Sequence, residues 1–412
     1  MAGAVAVAAV LAVAACSAGT HPAVGHSPSP TAHATPGQAV APAGVPGCST
    51  ATAPARELTG VPTAMEAVPP APFGVVTSAD GRWSFVALSG EGQVGVFQSG
   101  RSVLPHMVHQ VDLTGQPIGE TLTRDGRYLL AADSADGAMV ISAGRAEAGQ
   151  ADAQVGTLGS GTGGAGAIEV AVSPDGRFAF VSLEDWASIA VYNLQRALAD
   201  GFSSADLVGM IPVGIAPVGL AVSPDGRWLY ATSEAARGAA ASTATAQGTL
   251  TVIDLRRAEA DPAASVVATV DAGCSPVRVI TSADGGVVWV TARGSDRLLG
   301  FLATRLRTDA ARSLVADVEV GEAPVGLALV DGGSKIVIAD SNRFSAFGAA
   351  SSLAAVGVAA ALAGRPALLG YLPAGGFPRE MALEPGGRTL LVTNYDSGQL
   401  EAVGVTDLAR GP

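Results

Sequence analysis

Positive charge is scarce in this chain and is nowhere concentrated. The 412 residues contain 24 Lys and Arg against 36 Asp and Glu, and charged residues make up only 15% of the sequence. The net charge is −12 and no basic run occurs, whereas a surface that binds a nucleic acid backbone carries clustered Lys and Arg. The sequence therefore argues against nucleic acid as a partner.

Patterns that accompany catalysis or cofactor binding are also sparse. His106 and His109 are the two histidines beyond the N-terminal region, and no Ser or Cys pattern suited to a nucleophile accompanies them. The Gly-rich stretch 159–166 lacks the strand-to-helix context of a phosphate loop. The three N-terminal histidines have no spacing or companion ligands that would fix a metal. We therefore expect no metal site and no cofactor.

A short turn motif is abundant instead. The segment Ser173-Pro174-Asp175-Gly176-Arg177-Phe178 returns in seven copies, with the equivalent glycines at positions 81, 126, 176, 226, 285, 332 and 387. Asp-Gly supplies the positive φ of a tight hairpin turn, so the aspartates need no chemical role. A repeat of roughly 45 to 59 residues that carries strands is typical of a β-propeller blade.

Each repeat contains four short strand patterns, which predicts an all-β, seven-bladed propeller of four-stranded antiparallel blades over residues 56–412. The last repeat lacks a fourth strand. The segment around Met65–Val68 has the pattern of one, since it aligns with Met210–Val213. We therefore expect the N-terminal strand to complete the last blade and to close the ring.

The repeat resembles that of the YVTN family of seven-bladed propellers. The resemblance is carried by Pro217-Val-Gly-Leu-Ala-Val-Ser-Pro-Asp-Gly226 and by Pro378 to Gly387 with Leu391-Val-Thr-Asn-Tyr395, and it spans residues from about 60 to 408. Related rings include bacterial lactonases and subunits of quinone-dependent dehydrogenases. The motif residues belong to turns and strands, so the resemblance implies the fold more strongly than an activity.

Residues 1–15 are interpreted as a signal peptide. A small, apolar run ends at Val13-Ala14-Ala15-Cys16, which resembles the lipobox of bacterial lipoproteins. Cys16 would then be lipidated and would anchor the protein to the cell membrane on the extracytoplasmic side, with no other membrane contact. The usual basic n-region is absent, because no Lys or Arg precedes Arg56. A plain secretory signal is the alternative.

Residues 16–55 are rich in Pro, Ala, Ser and Thr and are expected to form a disordered tether. If Cys16 is lipidated, Cys48 and Cys274 remain as a pair in an oxidising compartment. A disulfide between them is possible, and two free thiols are the alternative, because sequence does not give the distance between their Cα atoms.

Candidate ligand-binding residues stand out by comparing one position across the repeats. Six repeats have a proline where the chain enters the first strand, and the third has Ala167 there; we call this the approach residue. The second residue after it is Gly74, Gly119, Gly219 or Gly326 in four blades, but Glu169, Arg278 and Glu380 in the other three. Connections into the innermost strands share one face of a propeller with the connections from second to third strands. We expect these three charged residues to line the channel mouth on that face.

Further candidates come from the ends of the second strands and the loops that follow. Six residues at these strand ends are expected on the same rim: Asp133, Glu184, Glu234, Arg293, Asp340 and Asn394. Trp186 beside two acids could anchor a ligand. A cationic ligand is conceivable because carboxylates predominate there. A solvated rim without a function is the alternative.

These observations favour a monomeric, surface-anchored binding or scaffold module for a protein, a glycan or a small molecule of the cell envelope. The alternative is a lactonase-like hydrolase, in which Glu169, Glu380 and Arg278 would position a sugar lactone and a water molecule. A quinone-dependent oxidoreductase subunit is a third possibility, with no companion motif in its favour.

Overall fold

Seven four-stranded antiparallel sheets form a closed ring, so the predicted fold is confirmed. A computed structural model describes residues 39–48, 56–100, 104–159, 161, 163–238, 246–344 and 351–408. Successive innermost strands contact one another, and the innermost strands of the last and first blades also touch, which closes the ring. The predicted signal peptide, Cys16 and most of the expected tether lie outside the described residues.

The blades follow the chain in order, and each is numbered here from its innermost strand outward. Blade 1 consists of β2 Pro72–Thr77, β3 Trp83–Leu88, β4 Gln93–Gln98 and β5 His106–Asp112, and blade 2 of β6 Pro117–Leu122, β7 Tyr128–Asp133, β8 Ala138–Ser142 and β9 Gln154–Leu158. Blade 3 consists of β10 Ala167–Val172, β11 Phe178–Leu183, β12 Ser188–Asn193 and β13 Leu207–Pro212, and blade 4 of β14 Ile215–Val222, β15 Trp228–Ala235, β16 Gln247–Asp254 and β17 Val266–Cys274. Blade 5 consists of β18 Pro276–Thr281, β19 Val287–Ala292, β20 Arg297–Leu302 and β21 Leu314–Glu319, and blade 6 of β22 Pro324–Val330, β23 Lys335–Asp340, β24 Ser352–Gly357 and β25 Leu368–Pro373. Blade 7 consists of β26 Pro378–Leu383, β27 Thr389–Asn394, β28 Gln399–Gly404 and β1 Thr63–Ala67.

The N-terminal strand closes the ring as the sequence predicts. Strand β1 pairs antiparallel with β28, from Thr63 opposite Val403 to Ala67 opposite Gln399. The last blade therefore combines three C-terminal strands with one from the start of the domain, and the exposed edge of β28 is covered.

Side-chain hydrogen bonds within each Asp-Gly turn explain why the motif recurs. Ser173 Oγ donates to Asp175 Oδ1 at 2.7 Å and accepts from the Phe178 amide at 3.0 Å, while Gly176 has a φ of 73°. Equivalent bonds occur in four other turns, those that begin at Ser78, Thr123, Ser223 and Ser282. The motif thus fixes each hairpin locally.

The core lies between the blades. Its largest fully buried side chains come from second and third strands and include Trp289, Tyr192, Tyr230, Phe85 and Phe97. Trp289 packs with residues of blades 5 and 6. Stacking of apolar faces between neighbouring sheets therefore supplies the main stabilisation of the ring.

Short helices follow the third strands of blades 2 to 6. They are α1 Ala143–Glu147, α2 Leu194–Asp200, α3 Leu255–Ala260, α4 Ala303–Thr308 and α5 Val358–Leu362. In blade 6 the expected third strand within Leu353–Leu362 is present as β24, and α5 occupies the end of that segment. No helix in the described part of the chain combines the length and apolarity needed to cross a bilayer.

A segment from the predicted tether lies against the outside of the ring. We call residues 39–48 and 56–58 the N-terminal strap. Val40 exchanges hydrogen bonds with blade 4, donating to the Thr269 carbonyl at 2.9 Å and accepting from the Asp271 amide at 3.0 Å. Ala43 donates to the Ala311 carbonyl in blade 5 at 2.9 Å. Over residues 39–48 the chain is thus held by backbone bonds to two blades.

The strap is also tied covalently and continues to the last blades. Cys48 and Cys274 form a disulfide with a Cα–Cα distance of 5.1 Å. Farther on, the Tyr371 amide of blade 6 donates to the Arg56 carbonyl, and the Leu58 amide donates to the Tyr371 carbonyl, each at 2.7 Å. A Cβ atom at Gly370 would lie 2.5 Å from the Arg56 carbonyl oxygen, so glycine permits this approach.

Candidate functional site

The glycines at the second position after the approach residue are required by close backbone packing between blades. A Cβ atom at Gly119 would lie 2.6 Å from the Ile168 carbonyl oxygen of the next blade. Blades 3, 5 and 7 carry Glu169, Arg278 and Glu380 at this position, and these three side chains meet although their blades are not neighbours. They must therefore extend across the channel.

Arg278 links the two glutamates. Its Nε donates to Glu380 Oε1 and lies 3.6 Å from Glu169 Oε2, and its Nη1 donates to the Val218 carbonyl of blade 4 at 3.1 Å. The exposed fractions of the side chains are 6% for Arg278, 14% for Glu169 and 17% for Glu380. The mouth residues predicted from sequence thus form a largely buried ionic cluster.

The pKa of Glu169 is strongly shifted within this cluster. Burial raises the pKa of Glu169 to about 8, because the charge of Arg278 only partly offsets desolvation and the charge of Glu380 adds to it. Glu380 accepts the closer hydrogen bond from Arg278. At neutral pH Glu169 therefore keeps its proton, while Arg278 is hydrogen-bonded to Glu380.

Glu120 is a further member of the cluster, and the sequence comparison missed it. Its side chain is buried, neither carboxyl oxygen has a hydrogen-bond partner, and its pKa is raised well above the usual range by burial and by the charge of Glu169. It occupies the third position after the approach residue, where the other blades have Val75, Val170, Leu220, Val279, Leu327 and Met381. Extending the comparison by one residue would have revealed it.

Arg379 adds a second cation beside the channel. Its guanidinium carbon lies 3.8 Å from the ring centroid of Phe73, 4.8 Å from that of Phe377 and 5.3 Å from that of Tyr395. Burial, reinforced by the charge of Arg278, lowers the pKa of Arg379 to about 9. Its Nε has no hydrogen-bond partner among the described residues. We call Glu120, Glu169, Arg278, Arg379 and Glu380 the axis cluster.

A separate ion pair lies at the rim. Arg293 Nη2 donates to Glu234 Oε1 at 2.7 Å and to Ser275 Oγ at 2.9 Å, while its Nε is buried without a partner in the described structure. Burial, followed by the charge of Glu234, raises the pKa of Glu184 in the neighbouring blade. Ser275 directly follows the disulfide-bonded Cys274, so the strap is fastened one residue from this rim pair.

The other predicted rim residues are not brought into either ionic group. Asp133 Oδ1 accepts from the Gln116 amide at 3.3 Å and from the Ala135 amide at 3.1 Å. Asp340 Oδ2 accepts from Ser352 Oγ at 3.0 Å, and Asn394 Nδ2 donates to Glu401 at 2.9 Å. These three side chains hold segments of their own blades, and a ligand role for them remains a prediction.

Trp186 lies in the short helical turn between β11 and β12 and is partly buried against an apolar cluster of blades 2 and 3. Its role as a ligand anchor is likewise a prediction. His106 and His109, the histidines in the described ranges, lie on β5, the outermost strand of blade 1. They are therefore far from the axis.

Comparison with known proteins identifies a family. A family model described as "Lactonase, 7-bladed beta-propeller" matches residues 56–408. None of the curated proteins matches the sequence. Among solved structures, hydrazine synthase of Kuenenia stuttgartiensis is similar at 18% sequence identity and a TM-score of 0.64, over 82% of this chain and 96% of that one. At this identity the structural likeness concerns the fold alone.

Proposed function

Because this chain belongs to the lactonase family of seven-bladed β-propellers, we propose that it uses the family scaffold as a binding module for a polar ligand at the channel mouth. The protein would act outside the cytoplasm, held at the cell membrane by lipidated Cys16 and the segment that follows it. Its YVTN-like repeats supply the ring, and the residues that depart from the repeat supply the site.

The salt bridge between Arg278 and Glu380 carries this proposal. Glu380 Oε1 is already engaged by the Arg278 hydrogen bond, and Glu169 with a pKa of about 8 holds its proton at neutral pH. Neither glutamate is thus poised to activate water. Arg278 Nη2, Arg379 Nε and Arg293 Nε remain buried without partners in the described structure and are suited to donate to ligand oxygens.

A lactonase-like hydrolase is the second candidate, and one observation favours it. A protonated Glu169 beside Arg278 is the arrangement that a general acid needs, since a pKa of about 8 keeps a proton available at neutral pH. In this alternative, Arg278 would hold the carbonyl group of a sugar lactone while a water molecule adds to the carbonyl carbon. The ring C–O bond would break as Glu169 protonates the leaving oxygen, and Glu380 would accept the proton that the water loses.

A lactone-hydrolysis screen separates the two. The chain from Ser17 to Pro412, the Glu169→Gln variant and the Glu380→Gln variant would be tested against sugar lactones of several ring sizes. We expect wild type and both variants to hydrolyse none of them faster than buffer. Hydrolysis by wild type that both variants lose would overturn the binding proposal and establish the alternative; hydrolysis that neither variant loses would contradict both.

A further inference from the structure

A groove on the side of the ring opposite the mouth shows a second departure from the repeat. This side carries the Asp-Gly turns between first and second strands, and we call it the turn face. Between the turns of blades 2 and 3 lies a cavity of about 560 Å³, whose lining includes Arg124, Arg127, Tyr128, Gln195 and Leu198. We call it the turn-face groove.

The carboxylates in this groove are committed to their own turns. Asp125 Oδ1 accepts from Thr123 Oγ1 at 2.6 Å and from the Arg127 amide at 3.1 Å. Asp175 Oδ2 accepts from Arg177 Nε at 2.6 Å, and Arg177 is bound in turn to Glu259 at 3.2 Å. The acids and Arg177 are therefore internally satisfied.

In contrast to these groups, the guanidinium groups of Arg124 and Arg127 are not satisfied by hydrogen bonds or ion pairs with other described residues. Within the described part of the chain neither side chain has a hydrogen bond or an ion pair, and Arg127 lies over the Tyr128 ring with 5.5 Å between its guanidinium carbon and the ring centroid. Both residues are exposed. Two guanidinium groups that make no hydrogen bond or ion pair in the described structure, one of them stacked on Tyr128, thus line a concave surface of a protein with a net charge of −12.

The turn itself does not account for Arg124. The residue before the turn aspartate, or before Gly386 in the last copy, is Ala or Pro in five of the other six copies and Val330 in the sixth: Ala79, Pro174, Pro224, Ala283 and Pro385. The turns form without a charge at this position, since blades 3 and 4 make the same hydrogen bonds with proline there. The position of Arg124 therefore calls for another explanation.

We propose that the turn-face groove binds a carboxylate-bearing saccharide, such as a uronate-containing glycan. Planar guanidinium groups bind carboxylates with paired, charge-assisted hydrogen bonds. The Gln195 amide is suited to sugar hydroxyls, and Leu198 supplies apolar surface. The cavity volume falls within the range of small-ligand sites and exceeds what a single inorganic anion fills. This site is separate from the axis cluster.

Calorimetric titration with digalacturonate tests the proposal, with maltose as the neutral probe and inorganic phosphate as the small anion. We expect wild type to bind digalacturonate in preference to both, with an affinity that decreases as salt is added. Arg124→Gln and Arg127→Gln should each lower the affinity about tenfold, because each removes charge-assisted hydrogen bonds.

Arg227→Gln is the matched control. Arg227 occupies the same turn position in blade 4 and stacks on Trp228 at 5.6 Å, but it does not line the groove, so its loss should leave binding unchanged. The proposal is overturned if wild type shows no binding at millimolar digalacturonate, if maltose or phosphate binds as tightly, or if both groove variants bind as wild type does.

Discussion

In the folded protein the carboxyl group of Glu169 is largely buried, and the nearby cation, Arg278, is shared with Glu380. Arg278 donates to Glu380 and lies farther from Glu169, so the buried site holds one charged carboxylate more readily than two. Glu120 enlarges this group with a second carboxyl that burial keeps protonated. At neutral pH the folded protein therefore retains protons on Glu169 and Glu120 that these carboxyl groups would lose in the unfolded chain.

The stability of the protein should consequently fall as pH rises from about 4.5 to about 8. In this window the native state keeps a proton on Glu169 that the unfolded state has lost, so unfolding becomes easier with pH. The free energy of unfolding should decrease by at most about 1.4 kcal/mol for each pH unit between the pKa values of Glu169 in the unfolded and native states. Glu169→Gln, which is neutral at every pH, should lose less stability across the window.

Urea unfolding at pH 5 and pH 8 measures this difference. Glu91→Gln, which changes an exposed glutamate in a loop of blade 1, is the control and should follow wild type. Equal losses of unfolding free energy in wild type and Glu169→Gln would contradict the assignment of a retained proton to Glu169.

Sequence comparison could select Glu169, Arg278 and Glu380, because glycine is the rule at their position and its physical reason, backbone crowding, is local. It could not show that the three side chains meet, since they come from blades that are not adjacent. It placed Asp133, Asp340 and Asn394 at the ends of their strands, but their rotamers direct them to nearby backbone and side-chain groups. Side-chain direction depends on the assembled ring.

Among the elements, the strands were predictable and the short helices were not. The hairpins are specified by turn chemistry, as at Ser173 and Asp175, and the strands by β-branched and aromatic residues. Helices α1 to α5 contain five to seven residues, too few for a periodic pattern to be detected. The starts of α2 and α3 are set by local caps: Asn193 accepts from the Arg196 amide at 2.9 Å, and Asp254 accepts from the Arg257 amide at 3.0 Å.

Sequence analysis did not predict that residues 39–48 of the N-terminal strap would lie against the ring. The composition of this segment is that of a linker, with no apolar face of its own. It is held instead by backbone hydrogen bonds to strands that already exist, such as those from Val40 to β17, and by the Cys48–Cys274 disulfide. Such docking depends on the partner surface rather than on the segment.

Removal of this disulfide should therefore release the strap and weaken the ring. The double variant Cys48→Ser, Cys274→Ser is expected to lose about 2–4 kcal/mol of unfolding free energy. Hydrogen exchange at the Asp271 amide, which donates to Val40, should become faster. Ala43→Pro, which removes one strap hydrogen bond and keeps the disulfide, should have a smaller effect. Unchanged exchange at Asp271 in the double variant would show that the strap is held without the covalent link.

For the molecule as a whole, the number of blades could be predicted because each of the seven repeats carries its own turn. Closure by β1 could be predicted because the last repeat lacks a fourth strand.

The location of the protein is a separate prediction that depends on residues 1–16. We expect radioactive palmitate to label the wild-type protein in a bacterial host and to spare Cys16→Ala, since acylation requires that thiol. Cys48→Ser is the control and should be labelled. Equal labelling of wild type and Cys16→Ala would exclude the anchor.

The pairing of β1 with β28 has a consequence for biosynthesis. Residues 63–67 leave the ribosome long before their partner strand, which ends at Gly404, so the seventh sheet cannot be completed until β28 has emerged. A polypeptide interrupted before Gln399 would present unpaired strand edges to proteases and to other chains. The facing strand edges of β1 and β28 are therefore covered only in a chain that has been synthesised through β28.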